Sequence, residues 1–438
     1  MADKTISRRD AIRKSTLGAA GLALTFGGVK PERILGANDR VRVGFVGLGS
    51  RCRSLIEAFQ ANAKDLNMEI GAVCDIWNKR LDSGADFVAG LAGSAPKKAR
   101  NTDELYGMKD IEAVVMATAD FQHAYHCSEA VRAGRDVYIE KPLANRMEDA
   151  REVLKTVTSS DRIVQVGTQR RSGENYINAA KFIQSGKFGK IKMVDITWNV
   201  NQPMRWRHPD VVASLRQEDT DWNRFLVNRP YEPWNPRIYV EFRLFWPYST
   251  GIPGQWMVHQ IDTVHWFSGC KRPNNVVANG GVYLWNDGRR NADTMTAVFE
   301  YGEGEDKFQV IYSSRQTNSY GGVKEIFLSN LGAINLDTNK ITGEGGLTAE
   351  FSLDGKDHRL ADMDIPSGQS LQTGVGETDE MTVMHMRNFM ECIRSRKKPN
   401  ADIYAAYQHA IANCMTAQAL HTGKRVTFDD ARQEVIVS

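Results

Sequence analysis

The chain commits to an architecture at VRVGFVGLGSRC, residues 41–52. A short apolar strand runs into two glycines and then directly into a pattern that predicts a helix over 50–63. The first glycine of such a turn, Gly47, suits a tight reversal, and the second, Gly49, lets a phosphate approach the backbone. The third position of the pattern needs only a small residue, and Cys52 fills it. Free N–H groups at the start of the helix, with its positive dipole end, then favour an anion. Gly47, Leu48, Gly49, Ser50 and Arg51 are therefore the expected pyrophosphate cradle.

The rhythm continues. Strands are predicted at 68–74, 111–117, 136–139 and 162–167, with helical stretches between them. Alternating strands and helices imply a parallel sheet covered on both faces, with ligands at the C-terminal strand ends. Asp75 ends the second strand, where an acid suits adenosine ribose hydroxyls and disfavours a 2′-phosphate. This favours NAD, while Lys79 and Arg80 nearby keep NADP open. The loop ATADFQH (117–123) brings Thr118, Asp120 and His123 to the same edge. So does DVYIEKPLA (136–144), where a buried strand hands its end to Glu140 and Lys141 before Pro142 bars helical geometry at Lys141.

After about residue 170 the pattern changes. A long strand is predicted at 191–200, then a loop rich in Trp, Pro and Arg over 201–219, then a helix over 254–267. Strands follow in succession at 276–284, 294–301, 308–314 and 325–329, and helices at 381–395 and 402–422 close the chain. Successive strands with tight turns predict an antiparallel sheet whose open face can pair subunits. In the loop, Trp206 and Arg207, beside Arg205, are candidate sugar contacts, as are Arg170 and Arg171. His259 and Asp262 share a helix face, and His265 is rotated away from them as a structural histidine. The His-x-x-Asp spacing lacks a third ligand, so no metal is expected.

Residues 1–36 stand apart. Ser7-Arg8-Arg9-Asp10 precedes a mild apolar run over 17–26, the pattern of a twin-arginine export leader. Of 56 Lys+Arg and 53 Asp+Glu, this leader holds seven and three, which leaves 49 basic against 50 acidic residues in the body. The basic balance therefore belongs to the leader, and no nucleic-acid partner is expected. No apolar run reaches the roughly 18 residues of a spanning helix, so an uncleaved leader would be the sole membrane tether. The six cysteines form no CxxC pair and are expected as buried free thiols.

Together GFVGLGSR, VCDIW, VVMATADFQH, YIEKPLA, VQVGTQRR and HQIDTVHW (259–266) resemble the Gfo/Idh/MocA oxidoreductases, in the right order over nearly the whole chain. The resemblance implies an α/β chain: an N-terminal Rossmann dinucleotide-binding domain (37–165) and a C-terminal α/β domain (166–438) with a large open, mostly antiparallel sheet. It implies a nicotinamide cofactor, a sugar or polyol substrate, and a homo-oligomer, dimer or tetramer. It places Lys141 beside the reacting hydroxyl, His259 as acid/base with Asp262 near it, and Asp120, His123, Glu140 and Gln169 around the nicotinamide half. One position departs. Many members carry an aspartate four residues before the histidine, and here Gln255 occupies it, leaving Asp262 to supply charge or His259 as a weaker base or substrate ligand.

The leader adds a constraint. An exported nicotinamide enzyme, periplasmic or beyond, is expected to carry its cofactor tightly bound and to regenerate it within its own cycle. Three functions meet this: a sugar oxidoreductase, a redox-neutral glycosidase working through a keto-sugar, and a cofactor-retaining sugar-binding protein. The EKP lysine, typically absent from the resembling N-acetylgalactosaminidase branch, tilts the expectation to the oxidoreductase.

Overall fold

The computed structural model describes residues 39–367 and 378–438. The expected export leader lies outside them. Two sheets organise the chain. The first contains β1 (Val41–Val46), β2 (Met68–Cys74), β3 (Lys97–Ala99), β4 (Ala113–Met116), β5 (Asp136–Ile139) and β6 (Val164–Val166). All are parallel, in the order β3-β2-β1-β4-β5-β6. The chain winds one way from β1 to β3 and the other way from β4 to β6, so a crevice opens between β1 and β4 at their C-terminal ends. β4 and β5 are buried along their whole length, as a sheet covered on both faces requires.

The second sheet has ten strands in the order β14-β13-β12-β11-β7-β10-β9-β8-β15-β16. They are β7 (Ile191–Asn199), β8 (Asn275–Gly281), β9 (Thr294–Tyr301), β10 (Phe308–Arg315), β11 (Val323–Ser329), β12 (Gly332–Asn335), β13 (Lys340–Gly343), β14 (Met363–Asp364), β15 (Val426–Asp429) and β16 (Glu434–Val437). Only β7 and β10 pair in parallel. β10 alternates strictly between buried and more exposed residues, so one face carries the core and the other faces outward. The expected α/β, two-sheet architecture is therefore present. β12 to β16 were not predicted, because they are strands of two to four residues with little apolar period to read.

Helices join the two sheets. Val258–Ser268 and Ile403–Thr422 are buried nearly all round, and the latter is capped by the Asp402 carboxylate on Ala405 N–H at 3.0 Å. Glu380–Ser395 follows the second sheet in sequence yet returns to the first. Its Phe389 meets the ring of Tyr138 on β5, and its Arg394 donates to the carbonyl of Leu66. Among the described residues no helix is long and apolar enough to cross a membrane. The six cysteines are free, and all but Cys270 are buried.

The predicted loop over 201–219 contains one short helix, Pro209–Ser214, and two more, Trp222–Leu226 and Pro236–Val240, follow it. Their aromatic residues form a separate core with Trp77 and Phe121 from the parallel-sheet side. The segment thus roofs the C-terminal ends of the parallel strands.

The return of Glu380–Ser395 has a measurable consequence. Phe389 is fully buried, so Phe389→Ala is expected to lower unfolding free energy by about 3–5 kcal/mol in urea denaturation. A loss below about 1 kcal/mol would show that this helix contributes little to the parallel-sheet half.

Candidate active site

Gly47 sits at φ +81°, and a Cβ there would lie 2.8 Å from the carbonyl oxygen of Ala117. No other residue fits this turn without displacing backbone. Asp75 holds the turn from the next strand. Its carboxylate accepts Leu48 N–H at 2.8 Å and Trp77 N–H at 2.9 Å. Burial raises its pKa. The acid expected to meet ribose therefore also braces the glycine loop.

A crevice of about 610 Å³ opens over this loop. Gly47 to Arg51, Asp75 and Thr118 line its floor, and Phe225, Tyr239 and Phe242 of the roofing segment line the other side. These residues fit a dinucleotide: a glycine cradle that a Cβ would fill, and a helix N-terminus behind it. The hydroxyl of Thr118 and the amide oxygen of Gln169 add polar atoms with no protein hydrogen-bond partner among the described residues. They suit the polar groups of the nicotinamide half.

A second cavity of about 820 Å³ continues from it, sharing Ser50, Arg51, Thr118 and Arg243 with the crevice. It brings together Asp120, His123, Glu140, Lys141, Gln255 and His259. Most of the expected reaction centre therefore lines one space, although these residues come from both halves of the chain. The joint is tight. A Cβ on Gly254 would lie 3.1 Å from Pro142, and Lys141 Nζ donates to the Gln255 carbonyl at 2.8 Å. The predicted helix start is here a wide π-type turn, Pro253–Met257, which precedes the regular helix. Burial pulls the Lys141 ammonium down to about 8, against the opposing pull of Glu140. Burial would raise the Glu140 pKa, but Arg51, 2.7 Å away, and Lys141 hold it below its ordinary value. Arg51 is thus ion-paired on the cavity floor. His123 braces the same corner, with ring nitrogens 2.8 Å from the Pro142 carbonyl and 3.2 Å from that of Thr118.

Gln255 has a physical reason. Its amide N–H donates to Asp120 Oδ2 at 2.5 Å, and its amide oxygen accepts from Arg243 Nε at 2.8 Å. Asp120 Oδ2 also accepts from the Ser249 hydroxyl at 2.6 Å. A carboxylate at 255 would face Asp120 and repel it. The acid of this corner is therefore Asp120, and Gln255 transmits no charge to His259. His259 is buried beside Trp198, with ring centroids 6.0 Å apart. Burial, with Lys141 and Arg170 adding to it, drives its pKa well below the ordinary value, so the imidazole is neutral near pH 7.

Four expected site residues, Asp262, Arg170, Arg171 and Arg207, line neither cavity. The Asp262 carboxylate is clamped by Arg171 at 2.7 and 2.9 Å and faces His409, so it supplies no charge to His259. Arg170 is paired with Glu325 behind Trp198. Arg207 is tied to Glu241 and Asp287, each at 3.0 Å. In each case a buried carboxylate captures the guanidinium, a long-range partner that local sequence does not reveal. Trp206 does line the larger cavity, at φ +63°, a left-handed conformation rare outside glycine. The residues missed by sequence are Trp198, Trp256, His208 and Arg243, whereas Arg205, a candidate beside Trp206, does line the cavity. The Trp- and Arg-rich composition of 198–256 is the one signal that marks them. His265 bonds the Tyr301 hydroxyl at 3.0 Å, as a structural histidine should.

Because Arg171 and Asp262 are buried partners, Asp262→Ala leaves an uncompensated cation. It is expected to cost about 3–5 kcal/mol of stability in chemical denaturation. Undiminished stability with abolished turnover would restore Asp262 to the reaction.

Residues 41–168 match the model of the Gfo/Idh/MocA oxidoreductase family, described as having an NAD-binding Rossmann fold. An inositol 2-dehydrogenase of Rhizobium meliloti is 31% identical over 191 residues, covering 43% of this chain and 55% of that protein. A glycosyl hydrolase family 109 protein of Shewanella baltica is 24% identical over 191 residues, 42% of this chain and 40% of that one. The chain thus spans about half the length of the curated relatives it matches. Among solved structures, scyllo-inositol dehydrogenase of Lactobacillus casei with bound NAD(H) and scyllo-inositol superposes with a TM-score of 0.62 at 17% identity. That superposition covers 89% of this chain and 99% of the other. Residues 41–168 therefore match the NAD-binding Rossmann domain of the Gfo/Idh/MocA oxidoreductase family, and the chain as a whole has the two-sheet fold of the scyllo-inositol dehydrogenase structure.

Proposed function

We propose that this chain is an NAD-dependent oxidoreductase transferring hydride between a tightly held nicotinamide cofactor and a hydroxyl-bearing carbon of a sugar or polyol. The observation that carries this reading is the position of Lys141. It stands where the dinucleotide crevice runs into the larger cavity, opposite a neutral His259. Bound with its nicotinamide at that junction, the cofactor would supply the hydride acceptor. Lys141, as an ammonium, stabilises the negative charge that develops on the substrate oxygen. His259 takes the hydroxyl proton as general base. Asp120, through Gln255, holds the carbonyl that aims Lys141. Trp206 lines the cavity beside Trp198 and Trp256, an aromatic wall against which a sugar ring packs.

Asp75 supports NAD over NADP. The roof formed by Phe225, Tyr239 and Phe242 supports slow cofactor release. With the twin-arginine leader, that supports an exported enzyme that recycles its cofactor within the site. The one-sided burial of β10 supports assembly through the outward face of the ten-stranded sheet. A second reading, a redox-neutral glycosidase acting through a keto-sugar, is favoured by the relative named as a family 109 glycosyl hydrolase.

The protein purified without added nucleotide should carry bound cofactor, and its reduced-nicotinamide absorbance should change when sugars are added. Oxidation should fall as pH rises through about 8, where Lys141 loses its charge. Lys141→Met should lower turnover by about 100-fold or more while leaving nucleotide bound. Aglycone release from a chromogenic glycoside without added NAD would instead establish the glycosidase. Bound nucleotide unmoved by any sugar would contradict both.

A further inference from the structure

We propose that the substrate of this site is an anionic sugar, a sugar acid or a sugar phosphate, whose charged group is received by Arg205 and assisted by Arg243. The inference rests on the oxidoreductase reading for the reaction, but its own basis is the distribution of charge around the larger cavity.

The segment 201–250 contains seven arginines. Five have carboxylate partners: Arg207 with Glu241, Arg216 with Asp219, Arg224 with Asp103, Arg229 with Asp149 and Arg237 with Glu241. Arg205 and Arg243 have no salt bridge to any described carboxylate, and they are the two that line the larger cavity. Lys141 lacks one as well. The charged lining is therefore Arg51, Lys141, Arg205 and Arg243 against Asp120 and Glu140, and both acids are already engaged, by Gln255 and Ser249 and by Arg51.

An arginine does not escape this arrangement by losing its proton. Removing it from water without a counterion is costly, and two such residues sharing one cavity add mutual repulsion. The pKa values of both are lowered by burial; for Arg243 the pull of Asp120 and Glu140 partly opposes it, whereas for Arg205 the charge of Arg243 adds to it. An anion entering the cavity relieves both costs.

Arg205 is built for such a contact. Its guanidinium lies over the ring of Trp256, 5.4 Å from the centroid, and one terminal nitrogen is fixed on Gln202 Oε1 at 2.7 Å. Its Nε is buried with no acceptor. A planar fork held on an aromatic face recognises carboxylate or phosphate oxygens in pairs. Cofactor phosphates do not account for it. Arg243 lines both cavities, whereas Arg205 lines only the one beyond the glycine loop.

The test uses the full chain saturated with NAD, at fixed ionic strength. Glucose, glucuronate and glucose 6-phosphate, with the galactose series beside them, are titrated by tryptophan fluorescence, while reduced-nicotinamide absorbance is followed in parallel. At least one anionic sugar should bind about tenfold or more tightly than its neutral parent. Which of the two anion types gains identifies the carboxylate or the phosphate. Arg205→Gln should remove that advantage, bringing the affinity for the anionic sugar down to that for its neutral parent, while NAD stays bound. Arg205→Lys, which keeps the charge but not the fork, should retain part of it and serves if the glutamine variant fails to fold. Equal binding of neutral and anionic sugars, equal weakening of both by Arg205→Gln, or no detectable binding of any anionic sugar would overturn the proposal. Neutral sugars that change the absorbance without anion preference overturn this inference alone. Anionic sugars that bind through Arg205 without any absorbance change sustain it and remove the oxidoreductase reading instead.

Discussion

The active-site region depends on one joint, the contact of Lys141-Pro142 with Gly254-Gln255. The parallel sheet delivers the first pair at the end of β5, and the second half of the chain delivers the other at a wide helical turn. Glycine at 254 lets Pro142 approach, and the Gln255 carbonyl fixes the lysine. Neither half holds the candidate site by itself. The nucleotide crevice belongs mainly to the first sheet, the aromatic cavity mainly to the second, and Lys141 stands at their meeting point.

Charge around that joint is rationed by position. Buried carboxylates are placed where they are paired: Glu140 with Arg51, Asp262 with Arg171, Glu325 with Arg170, Glu241 with Arg207 and Arg237. Asp120 differs, since its partners are a hydroxyl and an amide. It biases the corner negatively without neutralising any one cation. With Glu140, it offsets the burial that pulls the Lys141 ammonium down to about 8, while burial together with Lys141 and Arg170 keeps His259 neutral. Gln255 is then a consequence of where the acid sits, not a loss of catalytic equipment.

Much of this was legible in the sequence, for identifiable reasons. The glycine turn and Asp75 were readable because backbone conformation and a strand end constrain residue type locally. Lys141 was readable because a charge at the end of a buried strand needs an explanation. Asp262, Arg170 and Arg207 were misread because their partners, Arg171, Glu325, and Glu241 with Asp287, are set by packing. Arg243 was missed, and Arg205 stood undistinguished beside Trp206 and Arg207, for the converse reason. What marks them is the lack of a salt-bridge partner among the described residues, which appears only once every other arginine of the segment has been paired. The short outer strands of the second sheet escaped because two to four residues carry no usable period.

The central claim is that the crevice and the aromatic cavity form one hydride-transfer site. The most direct measurement supplies a sugar deuterated at successive carbinol carbons and asks by mass spectrometry and NMR whether the label reaches nicotinamide C4. Transfer should come from a single carbon, to one face of the ring, and should be lost in Lys141→Met protein that still holds nucleotide. Label that stays on the sugar, or exchanges with water, while the nucleotide remains bound would contradict it.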